Sequence, residues 1–293
     1  MLPKLHSKFL MKKKLLKVAL VGKTNVGKST LVNSFVGEKI SIVNKKINTT
    51  QDLILGILNI DTTQIIFYDT PGSNFLKTSN LLQKKIRTHI WNAIDQVDLV
   101  LYMIDSLKYN YQDIERDINK VSEVNKPIVF VFNKIDLIEN EKILFYINEL
   151  KKINYIESFF NISAKYNKGI TNLSNYLRTK SITQEWLYKN DEITNKDDIF
   201  ITNECTRNAI LEFLHQEIPY NIKVRSLVFK YLKNHDLKIK QSIELQNERY
   251  KPIILGKKGN TIKRIRENSQ NAIHKILNCK VHLYLQVNIN NDR

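Results

Sequence analysis

The sequence predicts an α/β domain built on a mostly parallel sheet, followed by a smaller α+β domain. One observation is the apolar run Val18-Ala19-Leu20-Val21, which enters a loop bracketed by Gly22 and Gly27 and leaves it as the helix-compatible Thr30-Leu31-Val32-Asn33-Ser34-Phe35. A second is the alternation of continuous apolar segments with helical patterns as far as residue 180, the mark of strands buried on both faces. The third is a change of grammar beyond residue 200, where the order becomes helix, strand, strand, helix, helix, strand.

Taken in order, 15–21 reads as the first strand and 28–36 as the first helix. The stretch 37–50 has no clear period and reads as a loop, and two strands, 53–60 and 64–68, pair around Asp61-Thr62. A polar stretch then leads into a helix near 81–94. The regular unit follows: strand 97–104, helix 111–124, strand 128–132, helix 141–151, strand 155–162 and helix 170–177. A polar, acidic segment separates this from a helix at 203–216, strands at 222–231 and 237–245, the apolar approach 252–255, a long helix to residue 277 and an alternating strand 281–289. The expected boundaries are a flexible leader over 1–14, the first domain over 15–180, a linker or capping segment over 181–200 and the second domain over 201–293.

In a parallel sheet, ligand groups collect in the loops beyond the carboxyl ends of the strands. The first such loop spells Gly22-Lys23-Thr24-Asn25-Val26-Gly27-Lys28-Ser29, the G-x-x-x-x-G-K-S spacing in which backbone amides curl around nucleotide phosphates. Lys28 is placed to reach the terminal phosphates and Ser29 to hold Mg²⁺, with the positive end of the following helix facing the same anion. The next strand end carries Asp69-Thr70-Pro71-Gly72: Asp69 can contact the magnesium shell, and the Gly72 amide can sense the terminal phosphate. In the long loop before it, Thr50 or its neighbour Thr49 offers a hydroxyl to complete Mg²⁺ coordination. Lys28 and Gly72 are the expected transition-state support, and no catalytic base is assigned.

Asn133-Lys134-Ile135-Asp136 closes another strand. The Asp136 carboxylate can accept the ring N1–H and exocyclic amine of guanine but would face an acceptor in adenine, which selects GTP. Asn133 would tie this loop to the phosphate loop, the Lys134 stem can lie over the purine, and Ser163-Ala164-Lys165 at the next strand end would supply an amide to guanine O6. The candidate GTP-binding residues are therefore Asn25, Val26, Gly27, Lys28, Ser29, Thr30, Asp69, Gly72, Asn133, Lys134, Asp136, Ser163, Ala164 and Lys165, and the candidate metal ligands are Ser29, Thr50 and Asp69.

In the second domain Gly256-Lys257-Lys258-Gly259 matches the GXXG loop of a KH domain, which clamps about four unpaired nucleotides. Candidate RNA-binding residues are Ile254, Gly256, Lys257, Lys258, Gly259 and Lys263, with the apolar flank of Ile254, Leu255 and Ile262 as a floor under the bases. The formal charge of +17 over 293 residues points to a polyanion, either nucleic acid or an acidic membrane surface. Residues 200–293 hold 17 Lys plus Arg against 8 Asp plus Glu, so +9 of that charge falls in the shorter second domain. The two cysteines have no C-x-x-C spacing, which disfavours a disulfide framework or zinc site and suits a reducing cytosolic compartment. No apolar run approaches the roughly 20 residues of a membrane-spanning helix.

The series of strand-end motifs is similar to that of the TrmE-Era-EngA group of GTPases. One GTPase domain followed by one carboxyl-terminal KH domain, of type II, resembles the Era family in particular. That resemblance implies a P-loop GTPase with slow intrinsic turnover, using GTP/GDP and Mg²⁺, with K⁺ as a further cation near Asn25. It implies binding to the 3′ end of 16S rRNA, assistance in small (30S) ribosomal subunit assembly, a monomeric chain, and a cytoplasmic location with peripheral association with the inner membrane. The usual loop of the family reads G-R-P-N-V-G-K-S, so Lys23 and Thr24 depart from it without removing a phosphate ligand. Ser73 follows D-x-x-G where Ras-like enzymes carry a water-orienting Gln, which puts hydrolysis by that route in doubt. The competing readings are a membrane-associated regulatory GTPase and a non-hydrolysing assembly scaffold.

Overall fold

Strand β1 (Lys14–Gly22) sits inside the first sheet, and its apolar residues on both faces, Leu16, Val18 and Leu20 on one and Ala19 and Val21 on the other, are buried. In the computed structural model, residues 12–37, 54–70, 94–154, 156–213 and 222–289 are described. Beyond β1 the first domain contributes α1 (Lys28–Val36), β2 (Ile54–Ile60), β3 (Thr63–Asp69), β4 (Leu99–Asp105), α2 (Tyr111–Val121), β5 (Ile128–Asn133), α3 (Asn140–Leu150), β6 (Ile156–Asn161), α4 (Ile170–Lys180) and β7 (Ile182–Thr183).

The strands lie in the order β2-β3-β1-β4-β5-β6. β3, β1, β4, β5 and β6 run parallel, β2 is antiparallel at the edge, and β7 pairs antiparallel with the start of β1. Side chains alternate across the pleat, so the two faces have separate cores. Leu16, Val18, Leu20, Leu31, Val32, Phe67, Leu173 and Leu177 join α1 and α4 to one face. Ala19, Val21, Tyr102, Ile118, Phe130, Ile143 and Leu150 join α2 and α3 to the other. Burial on both faces is why these strands read as unbroken apolar runs. The common direction brings the ends of β1, β3, β4, β5 and β6 to one rim.

The second domain is α5 (Asp198–Phe213), β8 (Lys223–Tyr231), β9 (Leu237–Leu245), α6 (Lys251–Leu255), α7 (Asn260–Leu277) and β10 (Val281–Ile289). Its sheet runs β10-β9-β8, with β10 parallel and β8 antiparallel to β9. Both long helices pack on one face. There Gln241, fully buried, accepts a hydrogen bond from the Thr206 hydroxyl at 2.6 Å and donates to Asn203 Oδ1 at 3.0 Å, so a polar side chain sits in the core with its partners supplied.

Of the two readings of 181–200, linker or capping segment, the second describes it: the segment is largely a strap on the first sheet. Leu15 and Lys14 pair with Ile182 and Thr183, the Trp186 indole donates to Thr62 O, and the Leu187 and Tyr188 amides donate to Gln64 Oε1 at 3.0 and 3.1 Å. Gln64 Nε2 donates to Tyr188 O, Asn59 Nδ2 to Asn190 O, and the Ile57 amide to Ile193 O. The physical reason is the exposed edge of β2, whose unpaired backbone groups this polar segment satisfies. One expectation changes: the first helix of the second domain, α5, starts at Asp198, earlier than expected, with Asp197 Oδ1 accepting from the Phe200 amide at 2.7 Å. Residues 38–50 of the expected loop, among them Thr49 and Thr50, most of the helix 81–94, and Gly72 and Ser73 lie outside the described residues.

Candidate nucleotide and RNA sites

The phosphate loop is wound onto the rest of the rim. Gly27 has φ 104°, and an added Cβ there would run into the side-chain amide of Asn133, so both the backbone angle and the close approach require glycine. Lys28, 6% exposed, turns back over the loop and donates to Gly22 O at 3.0 Å and Lys23 O at 3.1 Å. Burial lowers its ammonium to about 8, against the opposing pull of the Asp69 carboxylate. Asp69 is itself 0% exposed at the end of β3. Ser29 and Thr30 open α1, partly exposed, and the Ser34 hydroxyl donates to Ala164 O at 2.6 Å, pinning the helix to the last strand-end loop.

Asn133 joins three loops. Its Nδ2 donates to Val26 O at 2.8 Å and its Oδ1 accepts from the Ala164 amide at 2.9 Å, while its own carbonyl accepts from the Ser106 hydroxyl at 2.7 Å. Lys134, at φ 65°, donates to Asn25 O at 2.8 Å and to Asp105 Oδ2 at 2.6 Å. Asn25 is exposed at φ 63° and Val26 is buried. Asp136 is exposed, as a residue that meets a base edge must be, and it helps to raise the pKa of Lys165, after the larger contribution of Tyr166. The Ser163 and Ala164 turn is buried and closed by the Ser163 amide donating to Lys168 O at 3.0 Å. The described candidates from the four motifs thus converge on one end of the sheet.

Sequence reasoning passed over Asp105, Ser106 and Asp113. Asp105 ends β4 and anchors Lys134; the strand-end rule that led to Asp69 and Asn133 applies to it equally. Asp113, on α2, forms an ion pair with Lys23 of the phosphate loop, a contact across 90 residues with no motif to announce it.

In the second domain Gly256-Lys257-Lys258-Gly259 is a tight turn between α6 and α7. Gly256 has φ 70°, and a Cβ there would collide with the Thr261 side chain; Lys258 adopts φ 53° and Gly259 φ 76°. Lys257, Lys258 and Lys263 are exposed. Ile254 is a correction: it is 0% exposed, packed with Ile210, Ile243 and Ile265, and has no surface to offer a base. On the one-and-a-half turns of α6 only one face can meet the core, and it is Ile253, 50% exposed, that faces solvent. Phe213 lies under the Arg264 guanidinium at 4.8 Å while packing against the same core.

Among the described residues no cluster of His, Cys, Asp and Glu could hold a metal on its own, and no helix is long and apolar enough to cross a membrane. Residues 17–134 match the family model described as 50S ribosome-binding GTPase, and residues 217–293 that of the KH domain. GTPase Era of Rickettsia typhi is 39% identical over 280 residues, 94% of this chain and 92% of the relative. GTPase Era of Ehrlichia canis is 35% identical over 92% of this chain and 91% of its own length. Two solved structures superpose with a TM-score of 0.87 at 34% identity: Era in complex with MgGDPNP and nucleotides 1506-1542 of 16S ribosomal RNA, covering 96% of this chain and 95% of that one, and an Aquifex aeolicus Era variant bound to GDP·AlF4⁻, covering 95% of each. With likeness of this extent running through both domains, and the strand-end motifs gathered on one rim, the chain belongs to the Era family of GTPases.

Proposed function

We propose that this chain is a GTP-hydrolysing switch that binds single-stranded RNA at the 3′ end of 16S rRNA and assists assembly of the small ribosomal subunit. The observation that carries it is the superposition over 96% of the chain on an Era structure holding both MgGDPNP and nucleotides 1506-1542 of 16S rRNA. Asn25 to Thr30 would hold the phosphates, Asp136 the guanine edge, Lys134 the purine face and the Ser163–Lys165 turn the base oxygen. The hydroxyl of Ser29 and the buried carboxylate of Asp69 are hard oxygen donors that suit Mg²⁺, and Thr50 or its neighbour Thr49 would add a further hydroxyl. When bound, Mg²⁺ neutralises charge on the phosphates.

The chain's own part in hydrolysis is to position the nucleotide. Lys28 gives up two carbonyl partners for phosphate oxygens, and a buried ammonium gains most from a partner of opposite charge. Asn133 holds the phosphate loop and the base loops at a fixed separation, so one nucleotide spans both.

RNA would be clamped at the Gly256–Gly259 turn, with Lys257, Lys258 and Lys263 meeting phosphates and Ile253, in place of Ile254, presenting an apolar surface. The site of action is the cytoplasm; the formal charge of +17 favours, as a second reading, peripheral attachment to an acidic inner-membrane surface. Filter binding of the GTP-loaded chain decides between them. Single-stranded RNA from the 16S 3′ end should be retained, and Lys257→Glu with Lys258→Glu should abolish this while GTP still binds. Retention on anionic vesicles with no preference among RNAs would instead support the membrane reading.

A further inference from the structure

Building on the GTP-binding reading above, we propose that Asp105, at the carboxyl end of β4, is a positioning residue of the nucleotide site. It fixes the Lys134 side chain as a lid over the purine and so sets how long a nucleotide stays bound. Lys134 enters its turn at φ 65°, ψ 33°, left-handed, with the Leu137 amide donating to its carbonyl at 3.0 Å. Its ammonium is gripped at two points, by Asn25 O at 2.8 Å and by Asp105 Oδ2 at 2.6 Å. The two grips differ in kind. Asn25 is an exposed residue of the phosphate loop and offers a neutral carbonyl. Asp105 offers a full negative charge from a strand end, with its side chain only 10% exposed, where water and salt screen the attraction least.

Asp105 is itself held in place. Its Oδ1 accepts from the Leu107 amide at 3.1 Å, which leaves Oδ2 to Lys134. Its backbone stands opposite Asn133 in the β4–β5 ladder, and beside it the Ser106 hydroxyl donates to Asn133 O at 2.7 Å. The end of β4 thus clasps both Asn133 and Lys134. Among the described residues Lys134 is the one cation paired with Asp105. A lysine carries its charge on a flexible four-carbon stem, and so flexible a chain covers a flat ring only if its far end is pinned. Pinned, the stem lies ready over the purine face. Unpinned, it must be ordered anew each time a nucleotide binds, and that cost returns as faster release. The lid meets the face of the base and not its edge, so Asp105 acts on residence time and leaves the choice of guanine to Asp136.

The test follows the release of GDP, and of inosine diphosphate, which lacks the exocyclic amine, from the preloaded full chain with Mg²⁺. Asp105→Ala should speed the release of both by the same factor, about tenfold. Phosphate release at saturating GTP should keep its kcat while KM rises. Asp105→Asn keeps an acceptor for the Leu107 amide, and with it the local fold. Its amide oxygen still accepts from Lys134 but without the charge, so release should quicken only about threefold. In Lys134→Met the lid is gone, and adding Asp105→Ala should speed release no further. A further rise of about tenfold in that double variant, unequal factors for the two diphosphates, a lower kcat at unchanged KM, or no change in either Asp105 variant overturns the proposal. So does release from Lys134→Met no faster than from the unmodified chain, because Lys134 is then no lid. If the unmodified chain cannot be loaded with GDP at all, the GTP-binding reading itself has failed.

Discussion

The two lysine-bearing glycine loops present their ammonium groups in opposite ways. Lys28 is buried beside Asp69 and held by two carbonyls, with burial taking its ammonium down to about 8. Lys257 and Lys258 stand exposed on a turn held by its own backbone, with the Gly259 amide donating to Gly256 O at 3.1 Å. The first loop is tied by Asn133 and Ser34 to distant strand ends, so its geometry belongs to the whole rim. The second needs only its two helices. A site of the first kind suits one ligand of fixed shape; one of the second suits a flexible polyanion whose contacts add up charge by charge.

That contrast can be broken most sharply at Lys28. Lys28→Ala should reduce GTP turnover by a factor on the order of 10³ or more, read as phosphate release from purified protein; turnover within tenfold of the unmodified chain would contradict it. Next is the base edge. Asp136→Asn should weaken GTP binding about a hundredfold, measured by nucleotide titration, and an unchanged preference for GTP over ATP would remove Asp136 from that role.

The strap gives a smaller, structural effect. Gln64 is fully buried and serves two amides and two acceptors, so Gln64→Leu should cost about 2–3 kcal/mol in urea unfolding. A change below about 0.5 kcal/mol would mean the strap is not held there.

The finest test concerns the burial of Lys28 without nucleotide. A lysine whose folded pKa lies below its unfolded value makes the unfolded chain the better proton binder, so its cost is full below about 8 and is relieved as pH rises toward the ordinary lysine value. Nucleotide-free Lys28→Met should therefore be about 1–2 kcal/mol more stable than the unmodified chain at pH 7, part of the gain being offset because Asp69 loses its countercharge. The advantage should shrink between pH 8 and 10; a pH-independent difference would show that the ammonium is not desolvated.

Much of the fold was legible because its signals are local. Strands 237–245 and 281–289 and helix 28–36 agree with the structure to the residue, since each alternates or repeats cleanly between turn-forming residues. The helix expected over 111–124 instead ends at Val121 and tightens into a short 3₁₀ turn, Ser122–Val124, a boundary that end-of-helix hydrogen bonding decides. Ile254 went wrong for a different reason. In Ile253-Ile254-Leu255 every residue is apolar, and which one faces inward depends on the helices packed against α6.

Residue types and spacing alone were enough to place a glycine-bracketed loop after the first strand, an exposed aspartate at the end of another, a GXXG turn and the order of elements, because each depends on groups within a few positions of one another. The pairing of Lys23 with Asp113, the clasp of Gln64 on Tyr188 and the burial of Ile254 came only with the folded chain. Those contacts join residues up to 124 positions apart, and a contact of that kind exists only once the sheet has brought its partners together.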